Sequence, residues 1–328
     1  MRNSSEVTLG FASWPHAVGE RELIFAKLIE LAIRRPVRVL VNQSETPLIQ
    51  IESVYNRPQI PNLKTRTYRF LASHSPGGIN FSKELFSPNQ QPTGNAKFNI
   101  FFTGENERPP FGSWDCYLSF DLDPLFGKNA YLPLWWLTSS NLIQPTVSPY
   151  LGKEITLEEL STSRAVDYER RKKFCVAFIG KAYPFRMQAI AALSKVGKVD
   201  VFGGISRNEN SSKALEKYRT AQDYKFVFAF ENDLYPGYVT EKAPEAWATG
   251  AIPLYWGLDS ANSFNPNALL NLTNFNSLEE YVSEVEKVAK SPQRWSAIAS
   301  QPLIYKKPSL EKVIKVLQTA LRPLIKDE

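Results

Sequence analysis

The longest informative pattern along the chain covers residues 225–257, KFVFAFENDLYPGYVTEKAPEAWATGAIPLYWG. Residues 226–230 form a continuous aromatic and β-branched run, which predicts a strand buried on both faces. Asn232, Asp233, Pro236 and Gly237 then break it. A helix is predicted to start near Thr240, whose hydroxyl can cap it, with Pro244 close to the helix start where proline is tolerated. Ala243, Ala246 and Trp247 give that helix its apolar face, and Gly250 ends it. Residues 251–256 read as a second buried strand. Strand, polar loop, helix and strand predict a parallel crossover, with the loop at the carboxyl end of the first strand, where such sheets bind ligands.

The same alternation appears elsewhere. Residues 7–12 predict a strand, 20–34 an amphipathic helix and 37–41 a Pro-led strand. Residues 42–98 are rich in Ser, Asn, Pro and Gln. Apolar patches at 48–54 and 68–72 read there as short strands, and 83–86 as a helical turn. Strands are predicted at 100–102 and 114–120, separated by Thr-Gly-Glu-Asn and a diproline turn. Residues 150–173 turn charged and polar with no sustained apolar face, so a domain boundary is placed there. Beyond it come a strand at 174–179, a helix at about 185–195, a strand at 198–202 followed by Gly203-Gly204, and a short strand at 268–272. A helix at 277–289 carries a capping box, Ser277 with Glu280. The expected division is 1–160, 161–305 and a terminal helix, 306–328, whose Val313, Val316, Leu317, Ala320 and Leu321 share one face. Docking of that face on the body is expected, with peripheral membrane contact as the alternative.

Composition narrows the class. The 328 residues are 43% hydrophobic and 12% aromatic, which is globular and long enough for two cores. A net charge of +6 without a dense basic run suits an anionic small molecule or a membrane surface and does not fit a nucleic-acid partner. Cys116 and Cys175 lack metal-type spacing and read as buried thiols. His16 and His74 give a histidine-centred metal site or relay little material and read as loop residues. No apolar run approaches the roughly 18 residues of a membrane span, and the first residues lack the design of a signal peptide. Asn-x-Ser/Thr triplets such as that at Asn271 therefore carry no weight. No dinucleotide fingerprint, P-loop or nucleophile elbow is present.

Read from the residues alone, the candidate chemistry has two sides. Lys242 at a helix start suits a phosphate, with Glu231 and Glu241 beside it; equally, these residues make a solvated first turn and a strand-end carboxylate. Arg186 at the start of the helix after strand 174–179 can grip a diphosphate through its guanidinium fork. Glu105, beyond strand 100–102, is by default a turn carboxylate. Trp135 and Trp136 read as a buried pair before a sugar-stacking one, and the basic cluster 170–173 as a solvated face.

The string FAFEN, then GYVTEK, then A-x-x-x-G-x-IP-x-Y-x-G at 228–257 resembles the donor-binding motif of the α-1,3-fucosyltransferases, glycosyltransferase family 10. Thr103-Gly104-Glu105-Asn106 and Ser119-Phe120-Asp121 resemble that family's acceptor-domain motif. The resemblance covers about residues 99–275. It implies an α/β fold of two Rossmann-like domains facing a cleft, the GT-B arrangement. It also implies inverting transfer of L-fucose from GDP-β-L-fucose to an N-acetylglucosamine-containing glycan, of N-acetyllactosamine type, with Glu105 as general base. Arg186, Glu231, Asn232, Tyr238, Glu241 and Lys242 would hold the donor, Arg186 and Lys242 on the diphosphate. No metal cofactor is then required, although Mn or Mg can stimulate. A bacterial enzyme of this kind would be cytoplasmic or peripheral to a membrane, and a truncated eukaryotic one lumenal in the Golgi. The chain departs from the family at residues 131–136, YLPLWW, where an arginine is usual, which leaves acceptor preference open. The alternatives are a transferase of the same fold using another nucleotide sugar, such as GDP-mannose, and a non-catalytic protein binding sugar nucleotides or glycans.

Overall fold

The computed structural model describes residues 6–14, 18, 22–41, 45–55, 91–110, 112–203 and 211–325. His16, His74, Gly204, the patch at 68–72 and the turn at 83–86 lie outside them. Two compact units divide the chain, Met1–Pro133 with Ser309–Glu328, and Leu134–Pro308.

The first unit is built on β1 (Val7–Ala12), α1 (Leu23–Ile33), β2 (Val37–Val39), β3 (Ile49–Glu52), β4 (Phe98–Phe102), β5 (Cys116–Ser119) and β6 (Asn129–Tyr131). Its strands form one sheet in the order β2-β1-β3-β4-β5-β6, parallel throughout. In β3 and β5 every residue is buried, as a parallel sheet covered on both faces requires.

The second unit opens with α2 (Leu134–Thr138) and α3 (Leu157–Ser161), then alternates β7 (Lys173–Ile179), α4 (Pro184–Leu193), β8 (Val199–Gly203), α5 (Ser211–Ala221), β9 (Tyr224–Phe230), α6 (Lys242–Ala248) and β10 (Ile252–Trp256). It closes with β11 (Leu270–Asn271), α7 (Leu278–Ala289) and α8 (Pro292–Ala299). The sheet order is β11-β10-β9-β7-β8, again parallel. Strand periodicity of two sends alternate residues of β9 to opposite faces. Phe226, Phe228 and Phe230 meet α4, α7 and α8 through Ile190, Tyr281, Val285 and Trp295. Val227 and Ala229 meet α6 through Ala243, Ala246 and Trp247. Each such large side chain contributes roughly 1.5–3 kcal/mol by leaving water, so the run at 226–230 fixes this strand at the centre of two cores.

The polar stretch at 150–173 lies inside the second unit. Its apolar residues are few but deeply set: Leu151, Ile155 and Leu160 are buried in one core, and Thr156 caps α3 by accepting from the Glu159 amide. The cluster at 170–173 is only partly a solvated face. Arg171 donates to the carbonyls of Tyr224 and Thr249, both at 2.8 Å, and so ties β9 to the end of α6. Gly250 follows that end with φ +86°, a left-handed turn that glycine adopts without strain.

The terminal helix α9 (Glu311–Ala320) returns to the first unit, where it packs on α1, β5 and β6. Val313, Leu317 and Leu321 are fully buried, and Gln318 Nε2 donates to the Ala32 carbonyl at 3.4 Å. Docking was one of its two expected fates, and four-residue spacing of the three apolar residues is what makes it fit. Among the described residues no helix is long and apolar enough to cross a membrane, and both cysteines are buried free thiols.

Candidate donor and acceptor residues

Glu231 stands immediately beyond β9 and is wholly buried. Its carboxylate is met from three directions. Thr240 donates through its amide at 2.8 Å and its hydroxyl at 2.7 Å, Lys242 Nζ lies at 3.1 Å and the Tyr255 hydroxyl at 3.2 Å. The strand registers make this possible. Trp256 pairs with Phe230, so the ends of β9 and β10 are level and Tyr255 turns toward the loop after β9. Burial pushes the Glu231 carboxyl above its ordinary range, against the pull of Lys242 and Thr240. Burial would likewise discharge Lys242, but Glu231 and Glu241 outweigh it and hold the ammonium charged.

Thr240 does not cap the helix. Helix α6 begins at Lys242, after Glu241, and has no side-chain cap; the Thr240 hydroxyl is taken by Glu231 instead. A seven-residue helix opening on an uncapped turn leaves the cationic work to side chains. Lys242 also touches the Thr240 hydroxyl at 2.9 Å and Glu241 Oε1 at 3.6 Å.

Arg186 sits in the first turn of α4, which Pro184 opens. Because β7 and β9 are adjacent and parallel, the loop before α4 and the loop after β9 share one sheet edge. Arg186 is nearly buried, reaches Asn232 Oδ1 at 3.3 Å, and lies over the Phe228 ring at 6.0 Å. Burial lowers its pKa, while Glu231, Tyr183, Tyr238 and Glu241 oppose that shift. Tyr238 is buried in the same loop, held by its amide bond to the Tyr235 carbonyl at 3.0 Å. Two buried polar atoms here, Arg186 Nε and Glu241 Oε2, have no hydrogen-bond partner among the described residues. An unsatisfied donor beside an unsatisfied acceptor in a cationic edge is what a ligand with both phosphate and hydroxyl groups would complete. All six residues expected to hold a donor thus occupy one edge of one sheet.

In the first unit, Glu105 lies just beyond β4 at the carboxyl edge. Its amide donates to Thr103 Oγ1 at 3.2 Å, and that hydroxyl donates to the Glu105 carbonyl at 2.9 Å. The Tyr55 hydroxyl donates to Glu105 Oε1. The SFD motif nearby is a closed network. Arg108 Nε donates to Asp121 Oδ2 at 2.7 Å, Ser119 to Asn129 at 2.8 Å, and Asn129 Nδ2 to the Asp121 carbonyl at 2.9 Å. Trp135 is buried against Phe264, ring centroids 5.6 Å apart, and Trp136, only partly buried, packs on Trp135 edge to face, so the buried-pair reading holds for the first of the two rings alone.

Sequence reasoning missed Tyr255, Thr240 as a ligand of Glu231, Tyr55, and a second buried carboxylate with a lysine partner. Glu245 accepts from Ser148 and from Lys217 Nζ at 3.1 Å. A tyrosine inside the apolar run IPLYW and a glutamate on the otherwise apolar face of α6 were the available signals. Among the described residues, no group of three or more His, Cys, Asp or Glu is placed to hold a metal.

Two parallel α/β units with a cation-bearing carboxyl edge in the second place this protein in the GT-B class of glycosyltransferase folds. Residues 168–298 match glycosyltransferase family 10 (fucosyltransferase), C-terminal part, and form a domain of that family. The Helicobacter pylori alpha-(1,3)-fucosyltransferase FucT is 29% identical over 212 residues, 58% of this chain and 44% of that protein. The human 3-galactosyl-N-acetylglucosaminide 4-alpha-L-fucosyltransferase FUT3 is 38% identical over 103 residues, 27% of this chain and 26% of its own. The chain thus spans less than half the length of these curated relatives. A crystal structure of an alpha1,3-fucosyltransferase with GDP-fucose superposes with a TM-score of 0.62 at 21% identity, covering 98% of this chain and 91% of that one.

Proposed function

We propose that this chain is an inverting α-1,3-fucosyltransferase, moving L-fucose from GDP-β-L-fucose to a hydroxyl of an N-acetylglucosamine-containing glycan. The observation that carries the reading is a pair of cations on one sheet edge, Arg186 buried and Lys242 partly buried, together with Arg186 Nε and Glu241 Oε2, buried atoms without a hydrogen-bond partner among the described residues. A unit positive charge about 4 Å from a phosphate oxygen is worth about 4 kcal/mol at an effective dielectric near 20. Two of them stabilise the diphosphate as it leaves. The names of the relatives support fucose; that of the Helicobacter pylori protein supports the 1,3 linkage, whereas that of FUT3 carries a 4 linkage, and the GDP-fucose complex of the similar structure supports the donor.

In this mechanism the acceptor oxygen attacks the anomeric carbon from the face opposite GDP. The new C–O bond forms as the bond to the diphosphate breaks, and the acceptor proton passes to Glu105. The leaving electron pair goes to the diphosphate, facing Arg186 and Lys242. Asn232 holds the guanidinium of Arg186, Glu231 holds Lys242, and Tyr238 and Glu241 line the donor. With side chains supplying the charge, turnover is expected to survive chelation by EDTA, and added Mn or Mg to stimulate at most.

The test is release of GDP from GDP-fucose with and without N-acetyllactosamine, comparing the unmodified chain with Glu105→Ala and Lys242→Ala. The expected result is acceptor-dependent release lost in both variants. Turnover of GDP-mannose in place of GDP-fucose would move the assignment to another donor. GDP-fucose binding without release across a broad glycan panel would mark a binding protein.

A further inference from the structure

We infer that Tyr55 is a positioning residue for Glu105, fixing the orientation and the basicity of its carboxylate; this rests on the reading of Glu105 as general base. The residue comes from a strand the motifs do not touch. β3 and β4 are neighbours in register, Glu52 beside Phe101, so the chain leaves both strands at the same sheet edge. Tyr55 follows β3 there, and its backbone is not loose. The Ser53 amide donates to the Ala12 carbonyl and the Tyr55 amide to the Ser13 carbonyl, each at 3.2 Å, continuing the β1–β3 pairing past the end of the strand. From this anchored position the phenol donates to Glu105 Oε1.

Glu105 is held at its other end by Thr103, whose single hydroxyl donates to the Glu105 carbonyl and accepts from its amide. Thr103 is itself fully buried and bonded through its amide to the Leu118 carbonyl at 3.2 Å. The main chain of Glu105 is thereby fixed by its own strand, and its carboxylate by the strand beside it. Preorganisation of this kind is what a reacting group needs, since a misplaced base transfers protons slowly.

The chemistry of the donor matters as much as its position. A phenol, with an unperturbed pKa near 10, is neutral where a carboxylate works. Its hydrogen bond stabilises the ionised carboxylate modestly. Arg108, from the turn after Glu105, pairs with Asp121 at 2.7 Å and lies 3.9 Å from Asp123.

The experiment is the pH dependence of fucose transfer for Tyr55→Phe, with Glu105→Gln as reference and GDP affinity measured for each. Removing the phenol takes a donor from the ionised carboxylate, so the Glu105 pKa rises and the acid limb of kcat/KM moves to higher pH. A kcat lower by about 10- to 100-fold, with GDP affinity unchanged, is expected beside that movement. Tyr55 replaced by a fluorinated tyrosine keeps the ring and hydroxyl with a more acidic proton, so the limb moves to lower pH. This variant answers the question even if the phenylalanine chain folds poorly. An acid limb that stays in place in both variants overturns the inference, whatever happens to kcat, because a merely structural tyrosine would leave it there. Retained activity in Glu105→Gln sinks the base reading by itself, independently of Tyr55.

Discussion

Two glutamates, each at the carboxyl end of a central parallel strand, make the most informative contrast in this molecule. Glu231 is wholly buried and accepts four hydrogen bonds, one of them from a lysine ammonium. Glu105 is half-buried, and its neighbours hold it by a phenol on the side chain and a threonine on the backbone. The first arrangement spends a carboxylate to keep a cation in place. Removing a lone carboxylate from water costs several kcal/mol, and the bonds returned, about 1 kcal/mol each or somewhat more when charged, roughly balance that. Glu231 therefore adds little stability of its own while fixing Lys242. Glu105 keeps the partial exposure through which a proton can arrive. Position at a strand end is common to both; on the proposed mechanism, the partners decide which is a frame and which is a reagent.

The sharpest way to break the contrast is to remove the acid function from each. Glu105→Gln is expected to lower kcat by about 10²- to 10⁴-fold with an unchanged unfolding midpoint and unchanged GDP affinity. A variant that keeps its rate would return Glu105 to the status of a turn carboxylate. Glu231→Ala is expected to do the reverse, costing up to about 3–5 kcal/mol in denaturant unfolding because Lys242 is left charged and largely withdrawn from water. If the alanine chain unfolds at the midpoint of the unmodified one, Lys242 has found another partner and the frame is not a frame.

A smaller change sharpens the donor side. Arg186→Lys keeps the charge but loses the planar fork, which Asn232 and the Phe228 ring hold in place. GDP affinity is expected to fall by about tenfold, read by calorimetry, with no effect on unfolding. Unchanged affinity would mean that Arg186 acts as a point charge at longer range.

Much of this was legible in the chain. The run at 226–230 and the one at 252–256 became β9 and β10 because apolar continuity over five residues, bounded by turn residues, leaves little else for the backbone to do. Ser277 caps α7 as its pattern demands, although the reciprocal bond of Glu280 goes to the Asn276 amide at 3.0 Å. The division of the chain was less legible. The compact units part between Pro133 and Leu134, not in the polar stretch after Tyr150, because Leu151, Ile155 and Leu160 are enough to bury that stretch in the second core. The residues gathered around Glu231 were readable only as a motif. That Thr240 would turn its hydroxyl inward depends on a carboxylate nine positions earlier, and that Tyr255 would reach the other oxygen of the same carboxylate depends on sheet register. Neither relation has a local signature. Tyr55 lay beyond reach for the same reason, being joined to Glu105 only through the pairing of β3 with β4.

The smallest expected effect concerns the other buried carboxylate of α6, which tests whether burial alone makes a frame. Glu245 lies one helical turn beyond Glu241 and is met by Ser148 and Lys217. Burial pushes its carboxyl above the ordinary value near 4.5, with Lys217 opposing and Glu241 adding to the rise. A carboxyl whose pKa is higher folded than unfolded binds its proton more tightly in the native state. Its contribution to stability is therefore fully present below pH 4.5 and is lost as pH rises through the raised folded value. Glutamine cannot titrate, so Glu245→Gln is expected to cost more stability at pH 4 than at pH 7, measured by urea unfolding at both. A cost that grows toward neutral pH would show Lys217 and Ser148 overcoming burial, and would make Glu245 a paired anion in the manner of a surface salt bridge.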